Sequence, residues 1–215
     1  MKINAKIYNS VKTTPFDVQN LENGSTVELH SLNKNEELFN LYGPKAKFAI
    51  WTCNGSKNYR LLIEDGYYAV MRELYGKRVN LCWINFWDEV DKKRKKIMLT
   101  LFLPLTILVL GVAILLAALG KELGDTGQMI AMVLTLVFFI VGNVFINKKI
   151  DKVIQTSNSV AVENIKNIVG HKHFDELLEA QRVYYDEFFG ITEDEESINS
   201  EDEVKEENKE ENKED

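Results

Sequence analysis

Two uncharged apolar stretches decide the fold of this chain: IMLTLFLPLTILVLGVAILLAAL at residues 97–119 and MIAMVLTLVFFIVGNVFI at residues 129–146. As α-helices, these segments would be ~34 and ~27 Å long, close to the roughly 30 Å hydrocarbon core of a bilayer. Lipid offers the backbone no hydrogen-bonding partners, so segments of this kind cross a membrane as helices. The sequence therefore predicts a two-helix transmembrane hairpin, with membrane helices at 97–119 and 129–147 and an external turn at 120–128.

A buried helix of a water-soluble protein is the alternative interpretation of each apolar stretch. Such helices usually carry apolar runs of about 10–14 residues, shorter than either stretch here. The first stretch also begins at residue 97, too far along the chain for a cleaved signal peptide. We therefore expect an integral membrane protein.

Basic residues on both sides of the hairpin predict its orientation. Positively charged side chains next to a membrane helix are retained on the cytoplasmic side. The turn has one base, Lys121, against two acids, Glu122 and Asp125. We expect a multi-pass protein of the cell (plasma) membrane with both termini in the cytoplasm. The flanking bases are Lys92, Lys93, Arg94, Lys95 and Lys96 before the first helix, and Lys148, Lys149 and Lys152 after the second.

An aromatic stripe directly precedes the first basic run. Trp83, Phe86, Trp87 and Val90 have the spacing i, i+3, i+4 and i+7, which places them on one helical face. Tryptophan prefers the headgroup level of a membrane, where lysine and arginine can also reach anionic lipid phosphates. Residues 81–96 are therefore predicted to form an interfacial helix. The predicted membrane-interface anchors are Trp83, Phe86, Trp87, Lys92, Lys93, Arg94, Lys95, Lys96, Lys148 and Lys149. Alternatively, the two tryptophans belong to the core of the preceding domain.

The sequence of the N-terminal flank, residues 1–80, predicts that this flank forms a small cytosolic α+β domain. Short alternating patterns of apolar and polar residues are typical of strands, and apolar residues at helical spacing are typical of helices. A five-residue loop containing Asn54-Gly55 between two β-like runs predicts a β-hairpin. The predicted strands are 2–7, 26–29, 46–53 and 59–64, and the predicted helices are 35–42 and 67–75.

The C-terminal flank, residues 148–190, predicts a cytosolic helical region. Isoleucine and valine recur at helical spacing after the second apolar stretch, which suggests that the helix continues, with a break near 156–159 and an end at Gly170. A second amphipathic helix is predicted at 173–189. Its stripe of leucine, tyrosine and phenylalanine is typical of packing on a neighbouring helix or subunit, so we expect core packing there and no ligand site.

The last residues of the chain form an acidic tail. Residues 192–215 contain 13 acids and 3 lysines, a net charge of −10, whereas the whole protein carries −7. Only Ile198 and Val204 are apolar, too few for a core, so residues 191–215 are predicted to be disordered. The tail could be a solubilising segment. Alternatively, it binds basic partners or folds back on the bases that flank the hairpin.

The hairpin contains residue types that favour close packing of helices. Small residues let two backbones approach each other, and a proline inside a helix removes a hydrogen bond and bends it. Asn143 is the only amide in the second stretch, near its cytoplasmic end, where it can reach headgroups or the partner helix. The predicted packing residues are Pro104, Ala113, Ala117, Ala131, Thr135, Gly142 and Asn143.

The sequence contains no motif for a known catalytic chemistry: no glycine-rich phosphate loop, HExxH, CxxC or GxSxG. His171 and His173 lie near acidic residues, but positions i and i+2 of a helix point to different faces, so the pair could chelate a metal only from a loop. We therefore expect no enzyme, no cofactor and no metal. The two cysteines are too few for a disulfide framework, and the high lysine content hints at a bacterial protein.

These features predict a non-enzymatic, membrane-anchored scaffold or sensor that presents cytosolic domains at the inner face of the membrane. The alternative function is an oligomeric channel or an accessory subunit of a transporter. The expected partners are the lipid bilayer, anionic lipid headgroups, and a protein partner or a second copy of the chain. No nucleic acid is expected among them.

Overall fold

The computed structural model describes residues 3–42 and 48–190, apart from the side chains of residues 117, 120–123 and 125. The predicted disorder of the acidic tail, residues 191–215, concerns a segment outside the described residues. The described chain has an α+β fold that combines one small sheet with long helices. This agrees with the predicted fold class at the level of secondary structure.

The chain divides into two compact units. One unit contains Met1–Asn80 together with Val169–Asp215, and the other contains Leu81–Ile168. The first unit is therefore built from both flanks of the chain, whereas the second contains both apolar stretches. The sequence predicts the N-terminal flank as a domain by itself, so the participation of the C-terminal flank is an addition to that prediction.

The first unit contains a four-stranded sheet with the strand order β1-β2-β4-β3. β2 and β4 are parallel, and the pairs β1–β2 and β3–β4 are antiparallel. The strands are β1 at Asp17–Asn20, β2 at Thr26–Ser31, β3 at Ala49–Cys53 and β4 at Asn58–Ile63. The predicted strand at 26–29 and the predicted β3–β4 hairpin are confirmed.

One predicted strand is wrong, and one strand is missed. Within the predicted strand at 2–7, the described residues form no strand and lead into a 3-10 turn at Tyr8–Ser10. The apolar side chain of Ile7 packs over the sheet instead of extending it, in a cluster with Leu62 and Ile50. β1 is missed because it is a short edge strand with Val18 as its only aliphatic residue, which gives too little alternation to detect.

Both faces of the sheet are covered. One face packs under the N-terminal segment and helix α1 at Glu36–Tyr42, in a cluster that includes Val11, Leu32 and Leu38. On the other face, the buried side chain of Gln19 donates a hydrogen bond to the carbonyl oxygen of Tyr75. That contact links the sheet to the 3-10 turn at Arg72–Tyr75, which follows helix α2 at Asp65–Met71. These elements replace the single helix predicted at 67–75.

The second unit consists of long helices. Helix α3 begins at Lys77 and ends at Ile97, a π-helical turn covers Met98–Phe102, and helix α4 covers Leu103–Ala118. Pro104 accounts for the π turn, because it has no N–H for the carbonyl of Thr100. At this turn, the N–H of Leu103 instead donates to the carbonyl oxygen of Met98, five residues earlier.

Helix α5 covers Gly120–Val169 and contains one residue with non-helical dihedral angles, Gly124. Most of the predicted turn at 120–128 is therefore helical, with interruptions at Leu119 and at Gly124. The predicted break at 156–159 is wrong, because the helix continues through this polar stretch. Within it, Ser159 donates to the carbonyl oxygen of Gln155 in the same helix. Two helical segments in this unit are long and apolar enough to cross a membrane.

Gly170 ends α5, as predicted, because its φ of 99° leaves the helical region. Helix α6 follows at His171–Phe189, two residues longer at its start than the predicted helix, and ends at Gly190 with left-handed geometry. It belongs to the first unit, where it packs against α2. The expectation that its aromatic stripe packs on a neighbouring helix is confirmed.

Candidate functional site: an apolar hairpin with a basic collar

The side chains of α4 and α5 that are at least partly buried recur every three or four residues. This spacing places them on one stripe of each helix, the arrangement expected where two antiparallel helices pack along a common seam. The stripe contains Leu105, Thr106, Val109, Val112 and Leu116 of α4, and Ala131, Thr135, Phe139, Gly142, Asn143 and Ile146 of α5.

At Gly142 the two helices of this seam approach each other closely. A Cβ atom built on Gly142 would lie 2.7 Å from Cδ2 of Leu105 and 3.1 Å from its Cδ1. These distances are too short for ordinary contact, so any larger residue would force the leucine aside. Gly111, in contrast, has open space around the position of a Cβ atom. Only the first of these two glycines is therefore required by packing.

The polar side chains of the apolar stretches bond to their own helices. Thr106 donates to the carbonyl oxygen of Phe102 at 2.9 Å, and Thr135 donates to that of Ala131 at 2.7 Å. The Nδ2 group of Asn143 donates to the carbonyl oxygen of Phe139 at 2.8 Å. Such bonds to the residue four positions earlier let polar side chains lie in an apolar environment.

The predicted packing residues differ in where they lie. Ala131, Thr135, Gly142 and Asn143 lie on the stripe of α5, whereas Pro104 and Ala113 lie on the exposed side of α4. The side chain of Ala117 is outside the described part of the chain. The structure therefore brings four of the predicted residues together and leaves two of them facing outward.

The outward faces of α4 and α5 form an apolar belt, which we define as the exposed large hydrophobic side chains between Leu99 and Phe145. Only 6% of the most apolar window in each helical segment is buried. Exposure reaches 72% for Ile114 and 69% for Met129. A core helix of a water-soluble protein would be mostly buried, whereas the apolar belt of this chain is mostly exposed.

The exposed bases at one end of the belt form the basic collar: Lys92, Lys93, Arg94, Lys95, Lys96, Lys148, Lys149 and Lys152. Lys93 forms an ion pair with Glu89 at 2.5 Å, and Lys95 approaches Asp91 at 3.8 Å. Both acids lie one turn earlier on the same helix. The other six bases form no ion pair within the described residues, so the collar carries a strong positive charge.

The predicted membrane-interface aromatics lie in a helix-helix seam. Phe86 and Val90 of α3 pack against Ala161 of α5, with Trp83 and Trp87 partly buried beside them. The segment 81–96 is thus part of a helix that continues into α4, and its aromatic face is occupied by α5. Trp83 and Trp87 lie ~21 and ~15 Å along the helix from Ile97, the first apolar-stretch residue. The interfacial position of residues 81–96 stays a prediction. The tryptophans also lie in the second unit, outside the core of the small domain.

A second feature, in the first unit, is a carboxylate that joins three elements. Glu64 is buried and caps α2 by accepting a hydrogen bond from the N–H of Tyr67 at 2.6 Å. It also accepts hydrogen bonds from the hydroxyl of Tyr184 on α6 at 2.5 Å and from the amide of Asn33 at 3.0 Å. Burial raises the pKa of Glu64, but these hydrogen bonds outweigh it and lower the pKa below the ordinary value of 4.5.

An aromatic cluster surrounds this carboxylate. Phe48 is fully buried and is the centre of the cluster. The hydroxyl of Tyr67 accepts a hydrogen bond from Gln181 of α6 at 2.6 Å. Burial raises the pKa of Tyr185 to about 12 and raises that of Tyr75 as well, so these phenols stay neutral. The rings within 4.7 to 5.8 Å of Phe48 are those of Tyr67, Tyr184, Tyr185, Phe188 and Phe189.

A third polar cluster ties the N-terminal segment to the sheet. Arg60 of β4 donates to Glu28 of β2 at 2.7 Å and to the backbone carbonyls of Tyr8 and Val11. Glu28 also lies 3.2 Å from the buried His30. Burial raises the pKa of Glu28, but its bonds to Arg60 and His30 outweigh this and lower it. Because Arg60 is occupied by the chain itself, this cluster has a structural role.

His171 and His173 both lie within α6 and therefore on different faces of the helix. His173 lies between two carboxylates, with its Nε2 atom 2.9 Å from Glu73 and its Nδ1 atom 3.2 Å from Glu176. Both hydrogen bonds raise the pKa of His173. Within the described residues, no group of three or more histidine, cysteine or acidic side chains is placed to hold a metal ion.

The sequence predicts the bases of the collar, but it does not predict the network of Glu64. One local signal was available, because an acidic residue directly before a helix is a common N-terminal cap. The contact with Tyr184, 120 positions later, has no local signal. Comparison of the chain with protein-family models, with curated proteins and with solved structures finds no match.

Proposed function

We propose that this chain is an integral membrane protein that crosses the bilayer twice. The observation that carries this proposal is the exposed apolar belt, because water-soluble monomers rarely expose contiguous apolar patches larger than a few hundred Å². Each of the two helical segments also exceeds the ~20 residues that span a bilayer. The hydrogen bonds of Thr106, Thr135 and Asn143 within their own helices suit a lipid environment as well.

We further propose that both flanks lie in the cytoplasm, at the inner face of the cell membrane. The flanks share one compact unit, in which α6 packs against α2. Two parts of one folded unit must lie on the same side of a membrane, which requires an even number of crossings between them. The basic collar at the flank end of the hairpin favours the cytoplasmic side.

The role that we propose is that of a membrane-anchored scaffold or sensor. Support comes from the distribution of the described chain, since most residues outside the apolar belt belong to the unit built by the two flanks. Two titratable groups of this unit, Glu64 and Arg60, bond to other elements of the unit and hold them together. A folded unit of this kind at a membrane surface is suited to recruiting a protein partner.

Membrane insertion is tested by alkaline extraction of isolated membranes. We expect the full chain to stay in the membrane pellet at high pH and to be released only by detergent. A variant with aspartate at Leu108 and Leu134, two exposed belt positions, should be released or degraded, because a charge at the centre of a membrane helix costs about 3 kcal/mol. Release of the unmodified chain by alkali alone would contradict the proposal.

The scaffold role is tested by cross-linking in intact cells followed by purification in detergent. We expect a stoichiometric protein partner that is lost from a Phe48→Ala variant, which disrupts the aromatic cluster of the first unit. The same partner should remain with Gly111→Leu, which alters only an open position of α4. If no protein is recovered in stoichiometric amount, or if the two variants recover it equally, the first unit is not the recruiting surface.

A further inference from the structure

The basic collar contains bases from two helices, and its position can be read from the contacts of the hairpin. We propose that the collar is a binding site for anionic phospholipid headgroups that contact α3 and α5 together. This inference rests on the proposed membrane insertion. The lipid class and the assignment of the site to a pair of helices go beyond the proposed insertion.

The register of the two helices places their bases at the same height. Lys93 of α3 approaches Ser157 of α5 at 3.5 Å, and Leu105 of α4 meets Gly142 of α5. In an antiparallel pair, each step forward on one helix is matched by a step back on the other. Lys96 is three positions after Lys93 and nine positions before Leu105. Counting from the two contacts therefore places it level with residues 154 and 151 of α5, about one turn or less from Lys149 and Lys152.

The collar has few acids to neutralise it. Asp151 is the only acid within the two basic runs at 92–96 and 148–152. Glu89 and Asp91 lie beyond the runs and pair with Lys93 and Lys95. Lys92, Arg94 and Lys96 form no ion pair within the described residues, and neither do Lys148, Lys149 and Lys152 of α5. These six side chains are exposed and can reach external anions.

The position of the collar favours lipid phosphate over a free anion. Ile97 and Ile146 border the apolar belt. Ile97 directly follows Lys96, and only Asn147 separates Ile146 from Lys148. With the belt in hydrocarbon, the collar is at the depth of the lipid phosphates. Each lysine or arginine near an anionic surface strengthens binding by roughly fivefold, so several together should enrich anionic lipid strongly.

The test uses the full chain reconstituted into nanodiscs of phosphatidylcholine alone or mixed with phosphatidylglycerol. The protein is then transferred to detergent. Native mass spectrometry counts how many molecules of each lipid type stay bound to the chain. We compare the unmodified chain with a triple variant, Lys92→Gln, Arg94→Gln and Lys96→Gln, which removes unpaired bases of the collar. The matched control removes three exposed lysines of the first unit: Lys6→Gln, Lys12→Gln and Lys34→Gln.

We expect the unmodified chain and the control to retain more phosphatidylglycerol than phosphatidylcholine. In the collar variant, the ratio of retained phosphatidylglycerol to phosphatidylcholine should fall at least tenfold. Raising salt from about 0.1 to about 1 M shortens the Debye length from about 10 to about 3 Å and should weaken retention. Inorganic phosphate should not displace the lipid. Equal retention by both variants, or displacement by inorganic phosphate, would overturn the inference.

Failure of this inference is distinguishable from failure of membrane insertion. The collar variant leaves every residue of the apolar belt unchanged, so it should resist alkaline extraction as the unmodified chain does. A variant that stays in the membrane pellet but shows no lipid preference overturns the lipid site alone. Release of all the chains by alkali overturns the proposed insertion itself.

Discussion

Gly142 is a residue whose lack of a side chain matters for the packing of the hairpin. Because a Cβ atom there would meet Leu105 at 2.7 Å, we predict that Gly142→Leu lowers the stability of the α4–α5 pair by about 1–3 kcal/mol, the usual cost of overpacking. The measurement is the midpoint of thermal unfolding in detergent. Gly111→Leu adds the same atoms at an open position of α4 and should change the midpoint little.

If both leucine variants unfold at the same temperature, the close approach at Gly142 is not a determinant of hairpin stability. A second measurement separates packing from a general effect on folding. Cysteines introduced at Val109 and Phe139, two positions of the α4–α5 stripe, should cross-link more slowly in the Gly142→Leu background than in the Gly111→Leu background.

Tyr184 shows how one hydroxyl can hold an element in place. It bonds to the buried Glu64, and a hydrogen bond to a charged group contributes about 1.5–3 kcal/mol. Because Tyr184 is partly exposed, we predict that Tyr184→Phe destabilises the first unit by about 1–2 kcal/mol in denaturant titration. The control is Tyr68→Phe, whose hydroxyl forms no hydrogen bond within the described residues. Equal losses in the two variants would contradict this role.

The same network predicts a loss of stability in acid. The folded-state pKa of Glu64 lies below its ordinary value of 4.5, so its contribution is fully present above the unfolded pKa and is lost as pH falls through the folded pKa. We predict that the unmodified chain loses stability below about pH 4.5 more steeply than Glu64→Gln does. Denaturant titrations between pH 3 and 7 would measure the difference, and parallel curves would contradict it.

At the scale of elements, α6 is the part of the C-terminal flank that completes the sheet domain. It supplies four of the five rings around Phe48. We predict that a chain ending at Gly170 leaves the N-terminal flank sensitive to limited proteolysis, since Phe48 loses most of its neighbours. A chain ending at Gly190 keeps α6 and should resist proteolysis as the full chain does. Resistance of both shortened chains would show that the N-terminal flank folds alone.

The contribution of His173, at the start of α6, to stability depends on pH in the opposite direction from that of Glu64. The pKa of His173 is raised by its bonds to Glu176 and Glu73. Its contribution is therefore fully present below the unfolded pKa, near 6.5, and is lost as pH rises through the higher folded pKa. We predict that His173→Gln makes the attachment of α6 less dependent on pH between about 6 and 8. Hydrogen exchange of α6 amides would measure this, and an unchanged pH profile would contradict it.

The elements differ in how well the sequence predicts them, for physical reasons. The β3–β4 hairpin and the amphipathic α6 have strong local patterns, and both are confirmed. The predicted break at 156–159 does not occur. Two polar residues of that stretch have partners that a helix allows, since Ser159 bonds to Gln155 of α5 and Ser157 is buried beside Lys93 of α3. The aromatic stripe at 83–90 is correctly placed on one face, but its neighbour α5 is about seventy positions later, and local periodicity cannot identify such a partner.

At the scale of the whole molecule, the joining of the two flanks is the main feature that the sequence leaves unpredicted. The bonds of Glu64 to Tyr184 and of Tyr67 to Gln181 connect positions more than one hundred residues apart. Contacts at that separation follow from the path of the chain and have no signature in a window of neighbouring residues. They also restrict membrane topology, since a hairpin between the two parts of one unit must return to its starting side.

This restriction leads to a prediction about accessibility from outside the cell. In a background with Cys53→Ser and Cys82→Ser, single cysteines are introduced at three exposed positions: Lys12, Thr126 and Lys172. A membrane-impermeant maleimide should label Thr126→Cys in intact cells, because that residue lies between the two apolar stretches. It should label Lys12→Cys and Lys172→Cys only after permeabilisation, because both lie in the unit that joins the flanks. Labelling of only one flank in intact cells would require an odd number of crossings, and α6 could then not pack on α2.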